Sequence, residues 1–165
     1  MYKIRVILDT KEDVIRTLAI DEKATLETLH YTIAKSFGFN GLEMSSFYKS
    51  DDDWNQGEEI PLFNMSEDND GVSMATEILK NTLPEKNGKL IYVYDFLLLW
   101  TFYVEVVDIN SEQLAGSKIL LSIGQIPNKA PEKEFKADDD WDNDSDLDED
   151  FNDFDDFDDF DFYQN

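Results

Sequence analysis

YKIRVIL, the stretch at residues 2–8, alternates apolar side chains with charged ones. A period of two is typical of a β-strand with one buried face. Residues 14–20, VIRTLAI, alternate in the same way, with Arg16 interrupting the apolar face, and the polar residues 9–13 between them suit a turn. The two stretches therefore predict a β-hairpin at the start of the fold.

A helix is predicted directly after this hairpin. Thr25 can cap its start, Gly38 suits a left-handed C-terminal cap, and apolar residues recur between them at three- and four-residue spacing. Further strands are predicted at residues 44–49, 89–96, 98–109 and 118–126, with a polar loop at 51–59 and a short second helix between 73 and 83. The pattern predicts an α+β fold with a mainly antiparallel sheet, in a β-grasp-like order of hairpin, helix and strand.

The most apolar part of the chain surrounds Leu97-Leu98-Leu99-Trp100, which predicts a central strand covered on both faces. Asp95 precedes it. We expect Asp95 to end a strand and accept backbone N–H bonds in a turn, and the alternative is a buried acid with a raised pKa. His30 lies beside the apolar stripe of the helix. It is interpreted as a packing or helix-surface residue, the alternative being a catalytic base or ligand.

Charge divides the chain into a domain and a tail. The 165 residues carry a formal net charge of −24, and the last 28 residues contain 15 acidic side chains and no basic one. We predict an α+β domain at residues 1–126, a linker at 127–137 and a disordered, low-complexity acidic tail at 138–165. Such a charge favours cationic partners and disfavours direct nucleic-acid binding.

Several classes of protein are excluded or disfavoured. The chain has no cysteine, which excludes disulfides, thiol catalysis and Cys-ligated zinc. Its start resembles no signal peptide and its apolar runs are too short to span a bilayer, so we expect a cytoplasmic protein without membrane contact. No GxSxG, phosphate-binding glycine loop or HExxH motif is present. We therefore expect no enzymatic activity and no cofactor.

Two segments resemble a known family. Leu29-His30-Tyr31-Thr32-Ile33, leading into Phe37-Gly38-Phe39, is one, and Tyr92-Val93-Tyr94-Asp95-Phe96, followed by Trp100, is the other. Together they resemble the plasmid pRiA4b open-reading-frame-three-like family, whose members are often described as transposon passenger proteins. In that family the second run continues as Gly-Asp-x-Trp, with a histidine two positions later. Here those three positions hold Leu97, Leu98 and Phe102, so the resemblance implies a fold and a site that has become hydrophobic.

The tail contains a weak match to a calcium-binding loop. Its oxygen ligands would come from five acidic residues at EF-hand spacing: Asp138, Asp140, Asp142, Asp146 and Glu149. Ser145 stands where such a loop needs an apolar anchor. Matches of this kind also arise by chance in an Asp-rich run, so diffuse cation binding is the alternative to a specific calcium site.

Aromatic rings recur through the rest of the tail. The candidate partner-binding residues are Phe151, Phe154, Phe157, Phe160, Phe162 and Tyr163. In an extended polyproline II chain, rings three residues apart would lie on one side, about 9 Å from each other, with two positions between. A chain of negative charges and rings resembles single-stranded nucleic acid, which binds basic grooves with stacking surfaces. The alternative is a tail that only aids solubility.

The sequence therefore predicts a non-enzymatic interaction protein whose tail docks into a basic groove, on a partner of the nucleic-acid-handling kind or on its own domain. The alternative is a mobile-element-associated nucleic-acid factor or enzyme-like protein, in which the tail would shield a basic patch of Lys3, Arg5 and Arg16. Oligomeric state is left open.

Overall fold

A computed structural model of the chain describes residues 1–65 and 71–131. These residues form seven strands and two helices: β1 (Tyr2–Leu8), β2 (Ile15–Ile20), α1 (Leu26–Ser36), β3 (Ser45–Ser50), β4 (Gln56–Pro61), α2 (Leu79–Thr82), β5 (Lys89–Tyr94), β6 (Trp100–Ile109) and β7 (Ser117–Ile123). The strands form one sheet in the order β4-β3-β5-β6-β1-β2-β7, and every pairing is antiparallel. The predicted α+β class with a mainly antiparallel sheet is therefore confirmed.

The first hairpin and α1 form as the sequence predicts. β1 pairs with β2 so that Ile4 lies opposite Leu18. The Thr25 hydroxyl accepts the Thr28 N–H at 3.1 Å and caps α1, while Gly38 has φ +90° just after its end. The chain then enters β3, which completes the hairpin–helix–strand order. β3 pairs with β4 and β5 and does not join the first hairpin.

The core lies between α1 and one face of the sheet. Alternate residues of the strands point into it, as the period-two patterns require. The buried strand residues on this face are Tyr2, Ile4, Val6, Leu8, Leu18, Ile20, Phe47, Ile60, Leu90, Tyr92, Tyr94, Trp100, Phe102, Val104 and Val106. From α1 they meet a buried stripe of Leu26, Leu29, His30, Ile33 and Ala34.

The opposite face of the sheet carries a row of ion pairs. Arg5 lies 3.1 Å from Glu105, and Lys89 lies 3.5 Å from Glu105 and 3.4 Å from Asp52. Trp54, in the loop between β3 and β4, contacts this face through Tyr103, with their ring centroids 4.9 Å apart. These contacts pair Arg5 and Lys89 of this face with acidic side chains.

The predicted central strand around residues 97–100 is wrong for its first three residues, and β6 itself buries one face and leaves the other half-buried. β5 ends at Tyr94, β6 begins at Trp100, and a turn joins them. Leu97 is 92% exposed and Leu98 is 54% exposed. The turn is closed by left-handed backbone at Asp95 (φ 71°) and Leu99 (φ 59°). An apolar run indicates burial only if the backbone continues, and here it reverses.

Three other elements differ from their predictions. Part of the predicted polar loop is β4, whose Ile60 lies opposite Phe47; an edge strand tolerates the polar residues that suggested a loop. The predicted second helix shortens to α2, because residues before it bind the start of α1, where the Leu26 N–H donates to the Glu77 carbonyl at 2.9 Å. The last strand ends at Ile123, three residues early. Ile126 and Ala130 pack partly buried against the core.

Candidate functional site

The two family segments of the sequence meet inside the fold. His30 Nδ1 lies 2.6 Å from the Tyr92 hydroxyl. The Tyr94 hydroxyl lies 3.0 Å from Asn40 Oδ1 and accepts the Gly41 N–H at 3.1 Å. We call these five residues the histidine–tyrosine network. They join α1, the loop that follows it and β5, so the network ties the helix to the sheet.

The hydrogen bonds of His30 identify its tautomer. The Gly41 carbonyl, 3.2 Å from Nε2, can only accept, so Nε2 carries the proton. Nδ1 is then an acceptor, and the Tyr92 O–H donates to it. Burial lowers the pKa of His30, an effect partly opposed by the Gly41 bond, and burial raises the pKa of Tyr92. Both groups are therefore neutral at pH 7.

His30 and Tyr92 are fully buried, each at 0% exposure. Both ring nitrogens of His30 already have protein partners. A base must reach the proton that it abstracts, and a metal ligand needs a free nitrogen lone pair. Burial of His30 agrees with the interpretation as a packing residue, and a place on the helix surface is wrong. The sequence could not show that Tyr92, Tyr94 and Gly41 would be its neighbours.

A layer of aromatic rings supports the turn between β5 and β6. Phe39 stacks on Tyr94 with centroids 4.7 Å apart and lies 5.2 Å from the Trp100 ring. Tyr94 and Trp100 face each other across the last residue pair of the two strands. The turn therefore packs on the rings of Phe39, Tyr94 and Trp100.

Asp95 holds the turn itself. Its Oδ1 accepts the N–H groups of Leu97 at 3.0 Å and Leu98 at 3.3 Å, and its backbone carbonyl accepts those of Leu98 at 3.1 Å and Leu99 at 2.6 Å. The predicted role of Asp95 as a strand-end residue that accepts backbone N–H bonds is confirmed. The carboxylate contributes structure to the turn, which presents its apolar side chains outward.

These apolar side chains form an exposed surface, which we call the apolar tip. It consists of Phe96, Leu97, Leu98 and Leu99 from the turn, with Leu42 and Met44 from the loop before β3. The two segments are joined by the Asp95 N–H, which donates to the Met44 carbonyl at 2.8 Å. All six side chains are exposed. Contiguous exposed apolar surface of this kind is typical of interaction sites.

The predicted basic patch of Lys3, Arg5 and Arg16 does not form. Lys3 and Arg5 belong to the open face of the sheet, where Arg5 is paired with Glu105. Arg16 is buried on the other side, against the Phe37 ring, and donates to the carbonyls of Ser36 at 2.8 Å, Ile123 at 3.0 Å and Gly124 at 3.1 Å. Arg16 instead binds β7 and the end of α1 to the core, which explains why a charged residue interrupts the apolar face of β2.

The candidate residues of the tail lie outside the described residues. This holds for Asp138, Asp140, Asp142, Asp146 and Glu149 of the calcium-loop match, and for Phe151, Phe154, Phe157, Phe160, Phe162 and Tyr163. Their roles stay predictions. Within residues 1–65 and 71–131, no group of three or more His, Asp and Glu side chains could hold a metal ion. No helix in the same part of the chain is long and apolar enough to cross a membrane.

Three surface clefts are lined by residues outside the histidine–tyrosine network. One, of about 410 Å³, runs between α1 and β7 and is lined by Tyr31, Lys35, Lys118 and Ile119. Another, of about 470 Å³, lies beside the start of β5, and a third, of about 500 Å³, lies beside the end of β6. The first combines basic and apolar groups along an edge of the sheet.

Comparison with known proteins identifies the family. A family model described as plasmid pRiA4b ORF-3-like protein matches residues 1–133. The chain belongs to this family. That confirms the resemblance drawn from the two sequence segments, which the structure brings together in the histidine–tyrosine network. No curated protein matches the sequence.

A solved structure has a similar fold. It is the crystal structure of a protein of unknown function, MM3350, from Methanosarcina mazei Go1. The superposition has a TM-score of 0.58 at 18% sequence identity and covers 73% of this chain and 67% of that one. At this identity the likeness establishes the fold alone.

The positions that depart from the family pattern lie in two environments. Leu97 and Leu98 are exposed in the apolar tip, whereas Phe102 is fully buried and packs on Phe37, with centroids 4.7 Å apart. The hydrophobic replacements therefore do not build one buried site. Phe102 fills the core, and the two leucines add apolar surface to a turn.

Proposed function

We propose that this family member is a non-enzymatic interaction protein of the cytoplasm, and that its apolar tip docks into an apolar cleft of a partner protein. The observation that carries the proposal is the run of four exposed apolar side chains, Phe96 to Leu99, held outward by the bonds of Asp95. Two of them stand where the family pattern has glycine and aspartate, residues that ordinarily occupy turns.

The energetics favour docking at this tip. Burying one leucine or phenylalanine side chain contributes about 1.5–3 kcal/mol. The turn is already ordered by its hydrogen bonds and by the rings of Phe39, Tyr94 and Trp100 beneath it. A preorganised surface avoids much of the loss of conformational entropy that otherwise accompanies binding. Three or four side chains on one turn can therefore supply a useful affinity.

The acidic tail indicates a second property of the partner, a basic groove. Its 15 acidic residues and its recurring phenylalanines suit a basic groove with apolar or stacking surfaces, as in proteins that hold single-stranded nucleic acid. We propose that the tail steers such a partner toward the chain and docks its rings in that groove. Support for this part comes from the sequence. The shielding alternative has less support, because Arg16 is buried and Arg5 is ion-paired.

Capture from a lysate of the source cells tests the tip. The full chain would be compared with Leu98→Ser and with the matched control Phe63→Ser, just after β4, whose side chains are 54% and 50% exposed. We expect a protein retained by wild type and Phe63→Ser to be lost with Leu98→Ser. Equal retention by all three would contradict a role of the tip. Recovery of nucleic acid in place of a protein would favour the nucleic-acid factor.

A further inference from the structure

The two edge strands of the sheet differ in how they are protected. β4 carries Glu58, Glu59 and Pro61, the charged residues and proline that discourage pairing at a sheet edge. β7, with sequence SKILLSI, carries one charge, at Lys118, and all seven of its residues are exposed. One edge is therefore built against pairing and the other is not.

β7 has one strand neighbour within the described residues. It pairs with β2 from Ile15 opposite Ile123 to Ile20 opposite Ser117, and it ends the strand order of the sheet. An exposed apolar edge strand offers a row of backbone donors and acceptors to another strand. Addition of a strand at such an edge is a common mode of protein recognition.

A bulge decides which side chains of β7 share a face. Leu18 pairs with Ile119 and Thr17 pairs with Leu121, so Leu120 is the extra residue. Two residues that oppose one at such a bulge point to about the same side. Leu120 and Leu121 therefore both lie on the open face of the sheet, and Ile119 lies on the helix face. The bond between the Ser117 and Thr32 hydroxyls, at 2.9 Å, fixes the helix face independently.

We propose that β7 pairs antiparallel with β7 of a second copy, around a two-fold axis that passes between Leu120 and Leu121. In this register each Leu120 lies opposite the other copy's Leu121, Ile119 lies opposite Ser122, and Lys118 lies opposite Ile123. The two residues of every opposed pair then lie on the same face of the sheet, and this includes the residues displaced by the bulge. The four central leucines form an apolar cluster on the open face.

The charge pattern within β7 is compatible with a second copy as the occupant. Like charges directly opposite each other destabilise a strand pair. The one charged residue of β7, Lys118, lies opposite Ile123, whose side chain can cover its aliphatic stem, and the two lysines lie at opposite ends of the joined strands. Gly124, where each chain leaves β7, is likewise at opposite ends, so the acidic C-terminal segments are attached far apart.

A small interface and a high net charge both weaken this dimer. It uses seven residues a side in the strands, well below the roughly 20–30 residues a side of a standard interface. Each copy also carries a formal charge of −24. Added salt screens repulsion between like-charged copies, whereas it weakens the binding of an oppositely charged partner. We therefore expect a weak dimer that becomes tighter as salt increases.

Sedimentation equilibrium of the full chain at low and high salt tests the register. Leu120→Lys/Leu121→Lys sets lysine opposite lysine twice, and we expect its dimer dissociation constant to rise at least about tenfold. Leu120→Glu/Leu121→Lys makes two opposite-charge pairs in the same register and should stay within about threefold of wild type. Both leucines are at least 41% exposed, so neither variant empties the core.

Several results would overturn the proposal. A wild-type chain that remains a monomer up to several hundred micromolar, roughly the weak end of protein association, would do so. That result is also expected if another segment of the chain or a dedicated partner covers β7. A dimer that both double variants retain equally would place the contact elsewhere. Circular dichroism checks folding, and Leu121→Lys alone, expected to weaken the dimer less, replaces any double variant that fails to fold.

Discussion

His30 Nδ1 on α1 and the Tyr92 hydroxyl on β5 lie 2.6 Å apart and join parts of the chain separated by 62 residues. The donor is Tyr92, because the Nε2–H of the imidazole is used by the Gly41 carbonyl. The imidazole in this arrangement is neutral. A second proton on Nδ1 would oblige the phenol to turn its own proton away and accept instead, and it would leave a charge buried in the core.

The first prediction is that stability falls as pH falls below 6.5, the ordinary pKa of histidine. Burial lowers the pKa of His30 in the folded state, so the unfolded chain binds the proton first. The free energy of unfolding is then highest above that pH and decreases between 6.5 and the lowered pKa, by at most about 1.4 kcal/mol per pH unit. Urea unfolding between pH 7.5 and 5.5 measures this slope.

His30→Gln is the matched control for this slope. Its amide can donate to the Gly41 carbonyl and accept from Tyr92 without titrating. The chain has one histidine and no cysteine, so no other side chain has an ordinary pKa in this window. We expect the pH dependence to flatten in the variant. A slope that wild type and variant share would show that His30 does not cause it.

A second prediction concerns the hydroxyl of Tyr92. Tyr92→Phe leaves Nδ1 buried without a donor, which should lower the free energy of unfolding by about 1–3 kcal/mol. Tyr31→Phe, on the exposed side of the same helix, should change it by no more than about 0.5 kcal/mol. Parallel chemical denaturation of the two variants gives the comparison. Equal values would mean that the bond to His30 has no net effect on stability.

The fold class could be predicted because local patterns determine it. The alternation of residues 2–8 and the cap at Thr25 formed as expected, since each depends on neighbours in the sequence. β4 was missed because its identity depends on pairing with β3, which supplies Phe47 opposite Ile60. Edge strands carry polar residues and so look like loops until their partner is known.

The candidate site shows a different limit. An apolar triplet at residues 97–99 predicted burial, yet Asp95 turns the chain and exposes it. The sequence predicts that Asp95 lies in a turn. It does not show that this turn exposes the leucines that follow, because spacing alone does not tell where the backbone reverses. His30 was recognised as a packing residue, while its hydroxyl partner Tyr92 depends on how α1 lies across the sheet, a tertiary contact that periodicity does not encode.

A third prediction follows from the exposed position of Leu98. Leu98→Asp should alter the free energy of unfolding by no more than about 0.5 kcal/mol, the usual range for surface substitutions. The matched control is Phe102→Ala, four residues along and fully buried, which should cost about 3–5 kcal/mol. Thermal unfolding of both variants would decide. A large loss for Leu98→Asp would show that the tip is covered in the native protein.

The fourth prediction tests how Asp95 holds the turn. Asp95→Asn keeps an oxygen that accepts the Leu97 N–H and tolerates left-handed backbone, so it should be nearly neutral. Asp95→Ala loses both the acceptor and that tolerance, and we expect a loss of about 2 kcal/mol. Denaturant unfolding measures the difference. If Asn and Ala behave alike, the side-chain bonds contribute little to the turn.

The last prediction separates docking of the tail from charge alone, and needs a partner captured by the full chain. If the tail only supplied charge, replacing Phe151, Phe154, Phe157 and Phe160 by Ser would leave binding intact. Moderate salt would then abolish the binding, because charges more than about 8–10 Å apart are screened at physiological ionic strength. If the rings dock, each contributes about 1.5–3 kcal/mol, while ordering the segment costs about 2–5 kcal/mol, so two or three rings are needed. We therefore expect the four-Ser variant to lose most binding near physiological salt, and a variant with half of the tail aspartates changed to asparagine mainly to associate more slowly. Calorimetric titration of the partner with each variant measures this, and equal affinity of wild type and the four-Ser variant would leave solubility as the better account of the tail.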